Sequence, residues 1–101
     1  VMVDEPFGPL ACVTSVGSLD EALALANANQ YGLAGYLFTD SRRVAQRVTE
    51  SLEVGAIAIN NVAVSTPEAP FGGTKDSGIG SESGIEGMET FLETRTVHSA
   101  H

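Results

Sequence analysis

The sequence predicts an α/β fold: a βαβαβ unit with a parallel sheet, then a long Gly/Pro-rich loop and a final strand. Two observations carry this prediction. Short runs of β-forming residues alternate with segments whose apolar residues have helical spacing, and the connections between them are short, as in βαβ units. With 101 residues, of which 43% are hydrophobic and 18% charged, the chain can form one small domain with a core.

The first predicted strand covers residues 10–16, which are rich in β-forming residues and are bounded by a Pro and a Gly. A helix follows this strand. Ser18 stands three residues before Glu21, which is the spacing of a capping box, because the Ser hydroxyl accepts from a first-turn N–H and the Glu reaches back. Apolar residues then continue at helical spacing, and Gly32 is the predicted stop of this helix.

The rest of the βαβαβ unit repeats this order. Residues 34–39 are the second predicted strand, and Thr39 or Asp40 can cap a second helix that ends at Gly55. Residues 56–60 are a short apolar run of the kind found in strands covered on both faces. Because the connections are short, we expect a parallel sheet with right-handed crossovers.

The composition changes after the third predicted strand. Residues 61–83 hold prolines and glycines that leave no room for a regular element, and a loop of this length is usually functional or disordered. The glycines of residues 72–84 miss the spacings of a phosphate-binding loop and of a dinucleotide-binding turn, so they are predicted to serve tight turns with positive φ. A short helix over residues 85–92 and a strand over residues 93–98 complete the prediction.

Charge and cysteine content exclude several classes of protein. Thirteen acidic against five basic residues give a formal net charge of -8, so nucleic acid and anionic membrane surfaces are unfavourable partners. No apolar run approaches the roughly 20 residues that span a bilayer, and a single Cys excludes a disulfide framework and a multi-cysteine zinc site. We expect a cytoplasmic protein. The sequence does not begin with Met, and it runs into the Glu-Pro-Phe-Gly-Pro stretch without a flexible lead-in. We therefore expect a piece of a larger protein rather than a small protein encoded by its own gene.

Three side chains with reactive or metal-binding atoms lack the neighbours that chemistry would need. Cys12 lies within the first predicted strand without a nearby His or Lys, so we interpret it as a small buried core residue rather than a reactive thiol. His98 and His101 share no metal-ligand spacing with a carboxylate or Cys, and we interpret them as solvated. We therefore predict no metal site.

The stretch Glu-Pro-Phe-Gly-Pro at residues 5–9 is a second candidate for function. Its two prolines and its glycine can present Glu5 to a sugar diol and Phe7 to a flat ring just before the first predicted strand. The alternative is a rigid turn with Phe7 in the core.

Segments spread along the whole chain resemble the C-terminal end of the aldehyde dehydrogenase superfamily. The matching stretches, in the right order and at the right spacing, are residues 5–9, 21–34, 54–60 and 70–80. Residues 65–70 and 75–82 are most similar to NAD(P)-dependent succinate-semialdehyde dehydrogenases. The resemblance implies that residues 1–92 are the C-terminal part of the catalytic domain and that residues 93–101 are an oligomerisation strand and tail.

The resemblance implies a part in an enzyme that oxidises an aldehyde, with succinate semialdehyde as the expected substrate and NAD or NADP as the cofactor. In this family a cysteine attacks the aldehyde, hydride leaves the thiohemiacetal for the nicotinamide, and a glutamate base activates the water that hydrolyses the thioester. Neither the nucleophile motif nor the base segment is in this sequence, so we predict that the 101 residues alone are inactive. The alternative is a non-catalytic interaction module or a truncated gene product.

Position by position, the resemblance implies roles for five side chains. Glu5 is similar to the glutamate that hydrogen-bonds the nicotinamide ribose, and Phe7 to the aromatic that positions the nicotinamide. Ser65 is similar to a serine that holds the substrate carboxylate, and Phe71 to an aromatic of the aldehyde tunnel. Glu82 is similar to a buried glutamate with proposed proton-relay and structural roles, although a Ser replaces the Arg that usually precedes it. Family members assemble as dimers and tetramers through their C-terminal strand, which implies a homo-oligomer.

Overall fold

The computed structural model describes residues 4–101, and in these residues it contains three helices and four short strands. In chain order they are α1 (Leu19–Asn27), β1 (Tyr31–Gly32), β2 (Ala34–Leu37), α2 (Arg42–Ser51), β3 (Ala56–Ile59), β4 (Thr74–Lys75) and α3 (Gly84–Glu89). Strands β2 and β3 are parallel, with Ala34 opposite Ala56, whereas β1 and β4 are antiparallel, with Tyr31 opposite Lys75. The strands therefore form two separate two-stranded sheets.

The β2–α2–β3 unit confirms the central strand–helix–strand of the prediction, with a later helix start. Ser41, not Thr39 or Asp40, is the N-cap, and its hydroxyl accepts from the Val44 N–H at 3.3 Å. Thr39 is not available as the N-cap because both of its backbone groups are hydrogen-bonded to the side chain of Asn60, at 2.8 and 2.9 Å. The helix also ends earlier than Gly55, because the backbone at its C-cap is already extended.

Helix α1 begins at the predicted capping residues but ends earlier than predicted. The Ser18 hydroxyl accepts from the Glu21 N–H at 3.2 Å, and the Glu21 carboxylate accepts from the Gly17 N–H at 2.8 Å. Gly32 does not stop this helix; it is the buried second residue of β1. A Cβ at Gly32 would overlap the Thr74 hydroxyl, so glycine here permits the close approach of β1 to β4.

Five predictions about the two ends of the chain, the loop and the last helix were wrong. Residues 10–16 and 93–98 form no strand, because a strand needs a hydrogen-bonded neighbour and nothing within residues 4–101 pairs with either segment. Cys12 is accordingly exposed, not buried. The loop after β3 contains β4, and the last helix stops three residues before the predicted Leu92. One βαβ unit is therefore present where two overlapping units were expected.

The core is small and the surface is large. Among the described residues the buried apolar side chains are Leu23 of α1, Val48 of α2 and Ala58 of β3. The accessible surface is 8370 Å², whereas a compact monomer of this mass exposes about 5,400 Å². The radius of gyration is 18.2 Å, against about 13 Å for a compact domain of this length. No helix in residues 4–101 is both long and apolar enough to cross a membrane.

Candidate functional site

The Gly-rich loop, residues 71–82, is closed at its base by two backbone hydrogen bonds. The Phe71 N–H donates to the Glu82 carbonyl at 2.8 Å, and the Glu82 N–H donates to the Phe71 carbonyl at 2.7 Å. Gly78 and Gly80 have φ of 134° and 85°, a region that favours glycine. The prediction of turns with positive φ is confirmed for Gly78, Gly80 and Gly84, but Gly72 and Gly73 have no positive φ.

Glycines also let the Gly-rich loop lie directly against the chain before β3. A Cβ on Gly55 would overlap the carbonyl oxygen of Gly72, and a Cβ on Gly73 would lie 2.5 Å from the Cβ of Ser77. Ser77 in turn accepts from the Gly32 N–H at 2.8 Å through its hydroxyl. The backbone at Gly72 therefore packs directly against the backbone at Gly55. This close packing fixes the position of the Gly-rich loop relative to β1 and β3.

Three polar side chains, Asn27, Glu53 and Lys75, form what we call the anchor cluster, which joins the Gly-rich loop to α1 and to the segment after α2. The Lys75 ammonium donates to the Asn27 carbonyl at 2.8 Å and to the Asn29 carbonyl at 3.2 Å, and it forms an ion pair with Glu53 at 2.8 Å. The Asn27 amide donates to the Ser51 carbonyl at 2.7 Å and accepts from the Glu53 N–H at 2.9 Å. Our sequence reasoning missed this cluster, because its members are up to 48 residues apart.

A cavity of about 350 Å³ lies beside the Gly-rich loop. Its lining includes Leu33 of the β1–β2 connection and both residues that close the base of the loop, Phe71 and Glu82. The Phe71 side chain is half-buried, which suits an aromatic that lines a cavity. Glu82 is exposed in this chain, whereas the resemblance implies a buried glutamate. The structure thus brings two of the predicted site residues together beside one cavity.

A larger open groove, of about 840 Å³, separates the segment before α1 from β1 and β2. Glu5 and Cys12 line it, and so does Asp76 of the Gly-rich loop. Phe7 is 97% exposed and lies outside the core, so the interpretation as a core residue was wrong. Among residues 4–101 no hydrogen bond or ion pair uses the Glu5 carboxylate. Leu33 and Ser77 line both this groove and the smaller cavity, so the two spaces adjoin.

Ser65 lies apart from both spaces, on the exposed segment that follows the carboxyl ends of β2 and β3. Asn60 begins this segment, with a φ of 53° and its side-chain amide paired to the backbone of Thr39. Asn61 continues the turn, because its side-chain oxygen accepts from the Val62 N–H at 2.7 Å. In open α/β sheets, ligands bind outside the carboxyl ends of the strands, so Ser65 follows the edge where a ligand is expected.

Comparison with known proteins identifies a family and several relatives. Residues 1–97 match the family described as the aldehyde dehydrogenase family. The chain is 63% identical over 98 residues to 4-(hydroxymethyl)benzenesulfonate dehydrogenase TsaD1 of Comamonas testosteroni, a match that covers 97% of this chain and 21% of that protein. It is 43% identical over 96 residues to the mitochondrial succinate-semialdehyde dehydrogenase of Mus musculus, which covers 95% and 18%.

A solved structure matches as well. The crystal structure of betaine aldehyde dehydrogenase from Staphylococcus aureus in complex with NAD⁺ has a TM-score of 0.85 at 43% identity, and the match covers 89% of this chain and 18% of that one. The chain spans about one fifth of the length of the curated relatives it matches.

Proposed function

The chain belongs to the aldehyde dehydrogenase family, and on this basis we propose that it acts as part of an enzyme that oxidises an aldehyde to the carboxylic acid with NAD or NADP. In that reaction the aldehyde carbon loses a hydride to the nicotinamide, and water supplies the second oxygen of the acid. The family match over residues 1–97 carries the proposal, and the 63% identity to a dehydrogenase supports it.

The proposed contribution of this chain is binding and positioning rather than bond-making. Cys12 is exposed in the larger groove, whose lining includes three carboxylates and, within the described residues, no Lys, Arg or His. Catalytic thiols are activated by cationic neighbours or a helix N-terminus, so this setting does not suit a nucleophile. The attacking thiol and the base that activates water belong, in this proposal, to a part of the enzyme outside this sequence.

Glu5 and Phe7 fit the nicotinamide half of the cofactor. Both side chains are exposed, and Glu5 lines the larger groove. A carboxylate accepts hydrogen bonds from both hydroxyls of a ribose, and a flat aromatic ring can pack against the nicotinamide. The bound cofactor supplies the hydride acceptor. In the proposal Glu5 would hydrogen-bond the ribose, and Phe7 would pack against the nicotinamide ring.

For the substrate we propose an aldehyde with an anionic group at its far end. The names of two relatives support the anionic group, since one specifies a hydroxymethylbenzenesulfonate, which is an alcohol with a sulfonate, and the other specifies succinate semialdehyde. The Ser65 hydroxyl can donate to a carboxylate or sulfonate oxygen, and its exposed position leaves it free to do so. Phe71 lines the cavity through which the rest of the aldehyde would pass. Succinate semialdehyde is our first choice, and the higher identity to the benzenesulfonate enzyme favours an aromatic sulfonate as the second.

The proposal can be tested with two chimeras, in which this chain replaces the matched segment of a relative. In the Comamonas testosteroni enzyme, the chimera is expected to reduce NAD(P)⁺ with an aldehyde. In the Staphylococcus aureus enzyme, it is expected to shift the preference towards anionic aldehydes. The readout is kcat/KM for succinate semialdehyde against butanal, and for 4-sulfobenzaldehyde against benzaldehyde.

The two outcomes that would overturn the proposal are separate. A folded Comamonas chimera that binds cofactor but oxidises no aldehyde overturns the proposed activity. Active chimeras that treat charged and uncharged aldehydes alike overturn the proposed substrate class. The matched control is the unmodified host enzyme, purified and assayed in parallel.

A further inference from the structure

Lys75 has a backbone conformation that needs an explanation. Its φ is 54°, in the left-handed region that residues other than Gly, Asn and Asp rarely adopt. Such conformations persist where the surrounding contacts over-determine them, and they cluster at functional sites. The residue as a whole is exposed, but its side chain is only 25% exposed, because the ammonium is held by its hydrogen-bond and ion-pair partners.

The ammonium of Lys75 satisfies groups that would otherwise lack partners. The last carbonyls of a helix have no donors within the helix, and α1 has no basic residue in its last turn. Lys75 donates to the carbonyl of Asn27, the last residue of α1, and places a positive charge at the negative end of the helix dipole. An ammonium has three donors, and three acceptors, on Asn27, Asn29 and Glu53, meet it here.

We infer that Lys75 is a positioning residue, which holds the Gly-rich loop against the end of α1 and thereby sets the position of the Phe71 ring. Between Lys75 and Phe71 the chain has two glycines packed against backbone, so a displacement at Lys75 is passed along the loop. The hydrogen bond from the Asp76 N–H to the Gln30 carbonyl, 3.1 Å, fixes the other side of Lys75. The anchoring itself follows from these contacts, whereas its effect on the aldehyde rests on the proposed function.

The anchoring is tested by amide hydrogen exchange on the 101-residue chain. Lys75→Met removes the three donors and keeps most of the side-chain length. We expect about tenfold faster exchange at the Asp76 amide, which donates to the Gln30 carbonyl, and at the Glu82 amide, which donates to Phe71 across the base of the Gly-rich loop. The Leu52 amide at the end of α2 should not change. Lys75→Arg should restore much of the protection.

Arg47→Met is the matched control. It removes an equally long cation whose ion pair with Asp20, at 3.3 Å, joins two largely exposed side chains, so exchange in the Gly-rich loop should not change. Glu53→Gln removes the charge from one acceptor and leaves the two carbonyl contacts, which predicts a smaller acceleration confined to the loop. If Lys75→Met unfolds the whole chain, the exchange rates of Glu53→Gln test the anchoring instead. Equal exchange in all variants, or an unprotected loop in the unchanged chain, overturns the inference.

The effect on the aldehyde is tested in the Comamonas chimera. Lys75→Met should raise the KM for the aldehyde about tenfold, because small displacements of substrate-lining groups are costly, while kcat and the KM for NAD(P)⁺ change less than threefold. If the chimera is inactive but exchange in the chain accelerates as expected, the proposed function is wrong. The inference that Lys75 holds the Gly-rich loop against α1 is then still supported. If exchange accelerates and the KM for the aldehyde does not change, the link from Lys75 to Phe71 is wrong.

Discussion

At the scale of single residues, the contact between Gly55 and the Gly-rich loop leads to a prediction about stability. Gly55→Ala places a Cβ onto the carbonyl of Gly72, and neither backbone segment can move without breaking its own hydrogen bonds. We expect a loss of about 3 kcal/mol in the free energy of unfolding, measured by urea denaturation of the chain. Gly8→Ala is the control, since nothing lies within 4 Å of the added Cβ. Similar losses for both variants would contradict the packing described here.

Ser65 gives a second prediction at this scale. In an active chimera, Ser65→Ala should lower kcat/KM for succinate semialdehyde by about one to two orders of magnitude relative to butanal, because a hydrogen bond to a charged group is worth roughly 1.5–3 kcal/mol. Ser15→Ala, which removes another exposed hydroxyl, should leave the ratio unchanged. An equal loss on both aldehydes would remove Ser65 from the proposed anion site.

The residues of the candidate site could be identified from the sequence only in part. Glu5 and Phe7 were candidates from their own chemistry and gained their roles from the resemblance. Ser65, Phe71 and Glu82 came from the resemblance alone, and all five roles stay predictions. The cavity beside Phe71 and Glu82 depends on a backbone pairing that joins residues 11 apart, which no local pattern encodes. Lys75 was overlooked because its partners are on α1 and after α2, so that its role depends on the tertiary structure.

At the scale of helices and strands, the local signal for the start of α1 succeeded, whereas the helix ends predicted at Gly32 and Gly55 and the two terminal strands did not. The capping box of α1 was predictable because Ser18 and Glu21 interact across three residues. The start of α2 was not, because the backbone of Thr39 is paired with Asn60, 21 residues away, and Ser41 is the N-cap instead. Residues 10–16 have the composition of a strand, yet composition cannot supply the neighbouring strand that would pair with them.

The C-terminal segment carries a prediction at the same scale. Residues 93–101 are exposed and, within the described part of the chain, make no backbone hydrogen bond, so their N–H and C=O groups are free to pair with another copy. We expect the chain to self-associate at tens of micromolar and a chain without residues 93–101 to do so less, as measured by light scattering. Monomers for both chains would show that this segment is not an assembly element.

At the scale of the whole molecule, the accessible surface area shows how much of the chain is exposed to solvent. The chain exposes roughly 3,000 Å² more than a compact monomer of its mass. A standard protein interface covers about 800 Å² on each partner, so the excess equals several such interfaces. Large apolar side chains contribute to it at both ends of the chain, including Phe7, Val13 and Phe91. Under the proposed function, this surface is the area that would meet the rest of the enzyme.

The chain on its own should therefore bind no aldehyde productively. Incubated with succinate semialdehyde and NAD(P)⁺, it is expected to produce no reduced cofactor, because rate acceleration needs a nucleophile and a positioned nicotinamide together. The absorbance of reduced cofactor is the measurement, and the active Comamonas chimera is the positive control. Turnover that survives purification and is lost in Cys12→Ser would show that Cys12 is a reactive thiol after all.

The pairing of β1 with β4 also has a consequence for the order of folding. Strands β2 and β3 pair residues 22 apart, as Ala34 with Ala56, whereas β1 and β4 pair Tyr31 with Lys75, 44 apart. Each doubling of the length of the closed loop costs only about 0.6 kcal/mol of conformational entropy. The β1–β4 ladder, however, is two residues long, so its hydrogen bonds stabilise the closed loop only slightly. We therefore expect the βαβ unit to form first and the Gly-rich loop to close onto it afterwards. Slow closure of this loop, not of the sheet, should limit the rate at which the chain reaches its native state.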